Sequence, residues 1–466
     1  MSAYFTADQL QQATAGRWVG QAATAVMQGI YTDTRNPRPG AAFVALRGEN
    51  FDGHEYLAVA SQQGAAALVA NEQFVQSHPD VVTGHVPLLA VPDTVKALGQ
   101  LGRDWRLRVS PRTVAITGSV GKTTVKDLII AVASRRFRVH GSRGNYNNLI
   151  GLPLEILGMA PDTEVLVVEC GADRPGEIQS LSEICLPNIG VVTHVVPCHL
   201  ERFGSVSRIA EEKGKLLTAL QGSNPQAVVF SGCAERNLLT AGCPAPITLY
   251  GRGGRYLLRA ENESLSVDGT SVFDLCEGNS RVRVQMQLIG AHQVDNALAA
   301  ATVGRILEIP LEDIKTGLES CTSGWGRMKK TELQDGTIVI EDLYNSNPQS
   351  MQAALDFLSR YRGKRRIAVF GEMWDLGTES EHWHLAVGRQ ITRDHAEVLV
   401  TVGSKAVAFV DGALQGGRAP EEIQQFENTQ EALQWLLNNR TAGALILIKG
   451  SRGMKMENIS KGLIHG

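Results

Sequence analysis

The chain has 466 residues, more than one hydrophobic core usually holds, and at roughly 150 residues per domain it calls for about three domains. Hydrophobic residues make up 43% and charged residues 20%, an ordinary globular composition, and a formal net charge of −3 gives no reason to expect nucleic-acid binding. The seven cysteines are odd in number and contain no C-x-x-C, which points to reduced thiols in a cytoplasmic protein rather than to a disulfide framework or a zinc site.

The opening stretch MSAYFTADQLQQATAG has no basic leader followed by an apolar core, so no secretory signal is expected. No apolar run is long enough to span a bilayer, so membrane insertion is not expected either. AAFVALRG, AALVA and PLLAV read as short strands between helical stretches, and DTVKALGQLGRDWRLRV as a connecting helix. From RTVAITG onward strand and helix alternate, with TVAIT, EVLVVE, NIGVVT and QAVVFS as β-branched runs of the kind buried in parallel sheets. A polar, β-rich insert follows (RYLLRAENESLSVDGTSVFDL, RVRVQMQLIG). HQVDNALAAATVGRIL then reads as a helix with Val294, Leu298, Ala301 and Ile306 near one face. SCTSGWGRMKK has the composition of a linker, and beyond it TIVIED, RIAVFGE, EVLVTVG and ALILIKG form a third alternating block. The pattern predicts an α/β chain with two successive parallel-sheet domains behind a smaller N-terminal one, and ligands at the carboxyl ends of strands.

The stretch TVAITGSVGKTTVKDLII carries the strongest chemical signal. A strand, a GSVG turn and a helix beginning KTT form the context of a phosphate-binding loop, but two residues shorter than G-x-x-x-x-G-K-[ST]. Glycines let the backbone approach phosphate, and successive N–H groups with the positive helix end hold its oxygens. Lys122 would reach the outer phosphates, and the hydroxyl of Thr123 or Thr124 would complete a magnesium shell. An ordinary strand-to-helix turn is the bland alternative; the G-K-T-T run at a helix start favours ATP.

Further stretches narrow the chemistry. VVECGADRPGEI places Glu169 at a strand end, where a carboxylate can hold a hard cation. VTHVVPCHLERFGS brings His194 and His199 to the end of another strand, IAEEKGKLL puts Lys213 and Lys215 on a helix, and Asn145 to Asn148 form a polar loop before a helix. Taken singly, Glu169 reads equally as a surface charge, the histidines as structural, and Lys213 as part of a solvated helix face.

Together these stretches resemble the Mur ligases, the ATP-dependent amide-forming enzymes of peptidoglycan synthesis. That family uses a short loop T-G-x-x-G-K-T-T, which stands here from Thr117 to Thr124. TDTRNPRPGAAFVALRGENFDGHEY resembles the family's uridine-nucleotide domain. GNYNNLIGLPLEIL, HLERFGS, GAHQVDNALAA, YNSNPQSMQAAL, GEMWDLG and LIKGSRGMKME resemble the branch that adds D-alanyl-D-alanine to a UDP-N-acetylmuramoyl-tripeptide. The D-N-P-[RA] motif of a sister branch is absent, and Glu341, Leu343 and the Trp374-Asp375 pair depart from the usual pattern.

The resemblance implies an N-terminal UDP-substrate domain over residues 1–107, a central P-loop ATPase-like domain with a parallel sheet over 108–322, and a C-terminal Rossmann-like domain over 323–466. It implies that Gly118, Ser119, Val120, Gly121, Lys122, Thr123 and Thr124 cradle ATP, that Asn296 meets the adenine, and that Asp342 meets the ribose. Arg327 would reach the γ-phosphate. Thr123 would hold one magnesium ion, and Glu169 with His199 a second, helped by Lys213 as a carbamate. Asp33, Thr34 and Arg35, with the FDGH stretch, are implied for the uridine nucleotide. Asn145, Asn147, Tyr344, Asn345 and Asn347 are candidates for the remaining substrate contacts. The expected catalytic set is Lys122, His199, Lys213 and Arg327. A folylpolyglutamate-synthase-like or sister-branch ligase, a nucleotide-dependent switch and a P-loop kinase stay open at this level.

Overall fold

A computed structural model describes residues 3–48, 51–79, 86–141, 144, 146–254, 256–266, 268–361 and 364–465. The strands among these residues fall into four sheets. In the N-terminal region, Ile30–Tyr31, Ala42–Val44, Ala67–Asn71 and Leu88–Val91 run parallel, and Arg17–Val19 closes the sheet antiparallel to Leu88–Val91. Helix Thr94–Val109 leads out of this sheet. The Asp93 carboxylate accepts from the Val95 and Lys96 N–H groups to cap its start, and Ser110 stops it in the left-handed region at φ 55°.

The next sheet is wholly parallel and six-stranded, in the order Ile247–Tyr250, Gln226–Phe230, Ile189–Val192, Arg112–Thr117, Val165–Glu169, Val139–Gly141. The strand that feeds the glycine loop, Arg112–Thr117, is thus interior, and the chain order reverses around it, which opens the crevice where such sheets bind ligands. Val165–Glu169 is buried along its whole length, as a run of apolar residues covered on both faces requires. Helix Gln293–Ile306 packs on helix Lys122–Ala133, and the antiparallel strands Arg259–Leu265, Thr270–Glu277 and Ser280–Ile289 cover the same core. Gln293–Ile306 differs from the expected one-faced helix. Val294 and Ala297 through Val303 are all buried, because the Ala-rich segment passes through the core rather than along its surface.

The C-terminal region holds a second six-stranded sheet, ordered Lys329–Glu332, Ile338–Asp342, Leu445–Lys449, Arg366–Gly371, Val398–Val402, Ile423–Phe426, with only the first pair antiparallel. The turn between the two large units is tied to this sheet: the N–H groups of Leu343 and Tyr344 both donate to the Gly326 carbonyl, at 2.9 and 3.1 Å. All seven cysteines are free, and only Cys243 is not fully buried. Among the described residues no helix is long and apolar enough to cross a membrane.

Candidate nucleotide and ligation site

The carboxyl ends of the central and C-terminal sheets face one cleft with a cavity volume of about 630 Å³. Residues 118–124 form part of its wall. Gly118 sits at φ +149°, where an added Cβ would lie 1.8 Å from Thr193 Oγ1; Gly121 sits at φ +85°, with Asn296 Oδ1 2.7 Å from the same hypothetical atom. Neither position accepts a side chain without displacing a buried neighbour. The loop is held from below: Ser119 N–H donates to the His194 carbonyl (2.7 Å), Ser119 Oγ to the Val196 carbonyl (2.9 Å), and Thr193 Oγ1 to the Val120 carbonyl (2.6 Å). Because Gly121 is the N-cap of helix Lys122–Ala133, no side-chain oxygen caps that helix, and its first-turn N–H groups are left to an anion. Lys122 Nζ bends back onto the Gly118 and Ser119 carbonyls, at 2.9 and 3.3 Å, and so stands over the loop.

Thr123 lies at a junction. Its hydroxyl donates to Glu169 Oε2 at 2.6 Å and accepts from Arg327 Nη2 at 2.8 Å. Glu169 is 2% exposed and its other oxygen accepts from Asn147 Nδ2 at 2.9 Å. Arg327, in the linker, also lies over the Tyr344 ring, 4.1 Å from its centroid, which fixes the guanidinium plane. The linker arginine therefore reaches the hydroxyl of the glycine loop itself.

Lys213 is not on a solvated helix face. Helix Val206–Thr218 buries Ile209, Ala210, Leu216 and Leu217, and helical spacing puts Lys213 on that same apolar face, 3% exposed. Burial pushes the pKa of its ammonium down to about 8, with the nearby Lys122 charge acting in the same direction and Glu212 and Asp173 opposing it. The neighbouring Glu212 serves the structure instead, because its two oxygens accept from Gly176 and Ile178 N–H and cap helix Glu177–Cys185.

His199 adopts a left-handed conformation at φ 49° and is flanked by two carboxylates, Asp173 3.4 Å from Nε2 and Asp375 3.3 Å from Nδ1. Burial lowers its affinity for a proton, and the two aspartates pull the other way. Asp173 does not stand out in the sequence, and Asp375 does so only as part of the atypical Trp374-Asp375 pair, with no role attached. Both lie in stretches notable for other reasons, CGADRPG and GEMWDLG, but their meeting across two regions of the chain has no spacing signature.

Asn296 is buried and donates to Gln293 Oε1 at 2.8 Å. Asp342 is paired with Lys449, 2.6 Å away, and Lys449 Nζ also donates to the Asn345 carbonyl at 3.0 Å. Asn347 lines the cleft while its Oδ1 caps helix Pro348–Arg360 through Ser350 N–H, and Asn345 Oδ1 accepts from Ser346 N–H. Asn145 lies outside the described residues. Among the described residues, no three His, Cys, Asp or Glu side chains cluster as a metal cage. Thr123 and Glu169 offer oxygen donors of the kind magnesium takes, with phosphate and water oxygens filling the rest of its shell; His199 would add a nitrogen, a rarer ligand for so hard a cation.

Asp33, Thr34 and Arg35 are elsewhere, in the turn after strand Ile30–Tyr31. Arg35 donates to both Asp33 oxygens at 2.8 to 3.1 Å, which holds the Asp33 carboxyl down to about 2. Asp52 and His54 of the FDGH stretch line a second cavity of about 1160 Å³ with Arg47, Asn71 and Phe74. His54 is fixed there by Asp52 on Nδ1 and by Asn71 N–H on Nε2.

Residues 26–106 match the Mur ligase family, catalytic domain; residues 116–304 the Mur ligase middle domain; and residues 326–452 the Mur ligase, glutamate ligase domain. A relative from Bacillus subtilis (strain 168), a UDP-N-acetylmuramoyl-tripeptide–D-alanyl-D-alanine ligase, is 33% identical over 441 residues, 94% of either chain. The crystal structure of MurF from Acinetobacter baumannii superposes with a TM-score of 0.90 at 29% identity, covering 100% of both chains. That of MurF ligase from Thermotoga maritima in complex with ADP gives 0.81 at 25% identity, over 94% of this chain and 97% of that one.

Proposed function

The chain belongs to the Mur ligase family, and from that membership and the cleft we infer that it is an ATP-dependent ligase joining D-Ala-D-Ala to UDP-N-acetylmuramoyl-tripeptide through an acyl phosphate, in the cytoplasmic synthesis of peptidoglycan precursors. The observation that carries the reading is the Arg327–Thr123–Glu169 chain of hydrogen bonds, which brings a guanidinium from the linker onto the phosphate loop of the central sheet.

A carboxylate is a poor electrophile and must be activated before an amine can attack it. The tripeptide carboxylate attacks the γ-phosphorus of ATP, ADP departs, and an acyl phosphate forms. The amine of D-Ala-D-Ala, having lost its ammonium proton, then attacks the acyl carbon, and phosphate leaves. The first step brings two anions together, so a preorganised positive field is the main requirement. Residues 118–121 and the helix end bind the phosphates, Lys122 swings from its loop carbonyls to the outer phosphate oxygens, and Arg327 faces the γ-phosphate beside Thr123. Asn296 and Asp342 hold the adenine and ribose ends. Thr123 would hold one magnesium ion and Glu169 with His199 a second, and magnesium would supply charge neutralisation at the phosphoryl oxygens.

Lys213 fits a modified role. A buried amine that gives up its proton near pH 8 is neutral often enough to react with CO₂, and the carbamate would exchange a cation for an oxygen ligand. The uridine nucleotide is assigned to the N-terminal sheet. The turn with Asp33, Thr34 and Arg35 and the segment with Asp52 and His54 both follow parallel strands there, at their carboxyl ends. We propose a substrate domain at residues 1–107, an ATP domain at 108–322 and a ligase domain at 323–466, helix Thr94–Val109 joining the first two.

Phosphate release measured with UDP-N-acetylmuramoyl-tripeptide, with and without D-Ala-D-Ala, tests the reading. Sustained release only with both substrates, one phosphate per amide formed, is expected. Release indifferent to the dipeptide, or a stable phosphorylated product, overturns it.

A further inference from the structure

The dipeptide that accepts the acyl group is small, and two methyl groups offer little for a protein to grip. Its terminal carboxylate survives the reaction and must be seated somewhere in the cleft. Desolvating a carboxylate without a partner is costly, so a cation or a set of converging N–H groups has to receive it, and a cation offers the stronger field.

Among the described residues that line the cleft, five carry Lys or Arg side chains: Lys122, Lys213, Arg327, Lys449 and Arg452. Four are committed. Lys122 and Arg327 stand on the phosphate loop. Lys213 is buried and gives up its proton near pH 8. Lys449 is 1% exposed and neutralised by Asp342. Arg452 is different. It too is ion-paired, with Glu457 through Nη1 at 2.8 Å, but its side chain is 56% exposed and that is the guanidinium's one hydrogen bond among the described residues, whereas the Lys449 ammonium is buried and spent on two partners. The guanidinium lies over the Trp325 ring, 4.3 Å from the centroid, so its plane is held while Nε and Nη2 keep their donors. A fixed planar fork with unused donors is the geometry that receives a carboxylate through two bonds.

Its surroundings suit an alanine dipeptide. Arg452 follows the carboxyl end of strand Leu445–Lys449, and the next residue, Gly453, is pressed against the Trp374 ring so closely that a Cβ there would lie 1.9 Å from Trp374 Cζ3. Trp374 is 42% exposed, lines the cleft and offers an apolar face, its indole N–H being bound to Glu372 Oε2. The residue after it, Asp375, meets His199. The wall from Arg452 through Trp374 to Asp375 therefore runs from an exposed guanidinium toward the ligating residues, and two residues of extended chain reach about 7 Å.

We propose that Arg452 binds the terminal carboxylate of the accepting dipeptide, with Trp374 packing against its methyl groups, so that these two residues set acceptor specificity. The proposal rests on the ligase reading above. The test compares KM values of the wild type, Arg452→Gln and Arg452→Lys for D-Ala-D-Ala and for its C-terminal amide, at saturating ATP and UDP-tripeptide. Arg452→Gln should raise KM for the dipeptide at least about tenfold, the effect of losing a charged hydrogen-bonding partner, while KM for ATP and for the UDP-tripeptide stays within about twofold. Arg452→Lys, which retains the charge but not the fork, should fall between. On the amide, wild type and Arg452→Gln should be equally poor. An unchanged dipeptide KM in Arg452→Gln and Arg452→Lys overturns the proposal. So does a penalty that persists in full on the amide, or one that falls on the UDP-tripeptide instead. If the wild type does not use D-Ala-D-Ala at all, the ligase reading itself fails, and that outcome is separate from any difference between variants.

Discussion

Replacing Lys213 by methionine should make the unliganded protein more stable while abolishing its function. The ammonium is buried, and its pKa falls from 10.5 to about 8 for that reason first. At about 1.4 kcal/mol per pH unit, that fall costs the folded state about 3 kcal/mol wherever the lysine is protonated. The sign follows from proton counting. Below pH 8 folded and unfolded chains both hold the proton, and the whole penalty is present. Between pH 8 and 10.5 the unfolded chain holds more protons than the folded one, so stability rises with pH and the penalty fades. By about pH 9.5 roughly 1 kcal/mol is left. Methionine has similar length, no charge and a flexible chain that fits an apolar helix face. A chain of several domains does not unfold in one step, so scanning calorimetry should follow the transition of the central unit, in magnesium-free and bicarbonate-free buffer. For a unit of about 200 residues the shift at pH 7 is about 6 to 12 °C upward for Lys213→Met, shrinking by more than half at about pH 9.5. Equal or lower stability of the variant at pH 7, or a gap that does not move with pH, refutes the burial argument.

Lys122→Ala should lower ADP formation by about a thousandfold or more, as expected for a group that meets the transferring phosphate, and unimpaired ADP release would remove it from that role. Lys213→Ala should be inactive and partly restored by short carboxylates such as formate or acetate, which can stand where the carbamate oxygens would; full activity without them would exclude a carbamate. Arg327→Ala severs the bond to Thr123, the guanidinium link from the linker to the phosphate loop. Small-angle scattering with a non-hydrolysable ATP analogue should then show a larger radius of gyration than the wild type gives, and identical profiles would count against a closing role.

The parts of the fold that could be read from sequence are those governed by local physics. Arg112–Thr117, Val165–Glu169 and Leu445–Lys449 are short apolar runs that only a buried parallel sheet explains, and the loop after the first is marked by its own glycines. Strands such as Arg17–Val19 and Val139–Gly141 have three residues each and lie at sheet edges, too short for a periodicity to show. The charged run EEKGK hides the burial of Lys213; the apolar spacing of Ile209, Lys213 and Leu217 holds the signal for it. The approach of Arg327 to the phosphate loop is implied only by the family resemblance, because a single arginine in a linker carries no pattern of its own. The His199–Asp375 pair is not legible, because residues 176 positions apart in the sequence meet only through the docking of two sheets, which no local pattern encodes.

The central claim is that the tripeptide carboxylate is phosphorylated before the amide forms. The direct measurement uses UDP-N-acetylmuramoyl-tripeptide whose reacting carboxylate carries ¹⁸O at both oxygens, followed by mass analysis of the phosphate released with ATP and D-Ala-D-Ala. If the carboxylate oxygen attacks the γ-phosphorus and the amine then expels phosphate, one ¹⁸O should appear in each phosphate. Phosphate free of label, formed alongside the amide, would contradict the account.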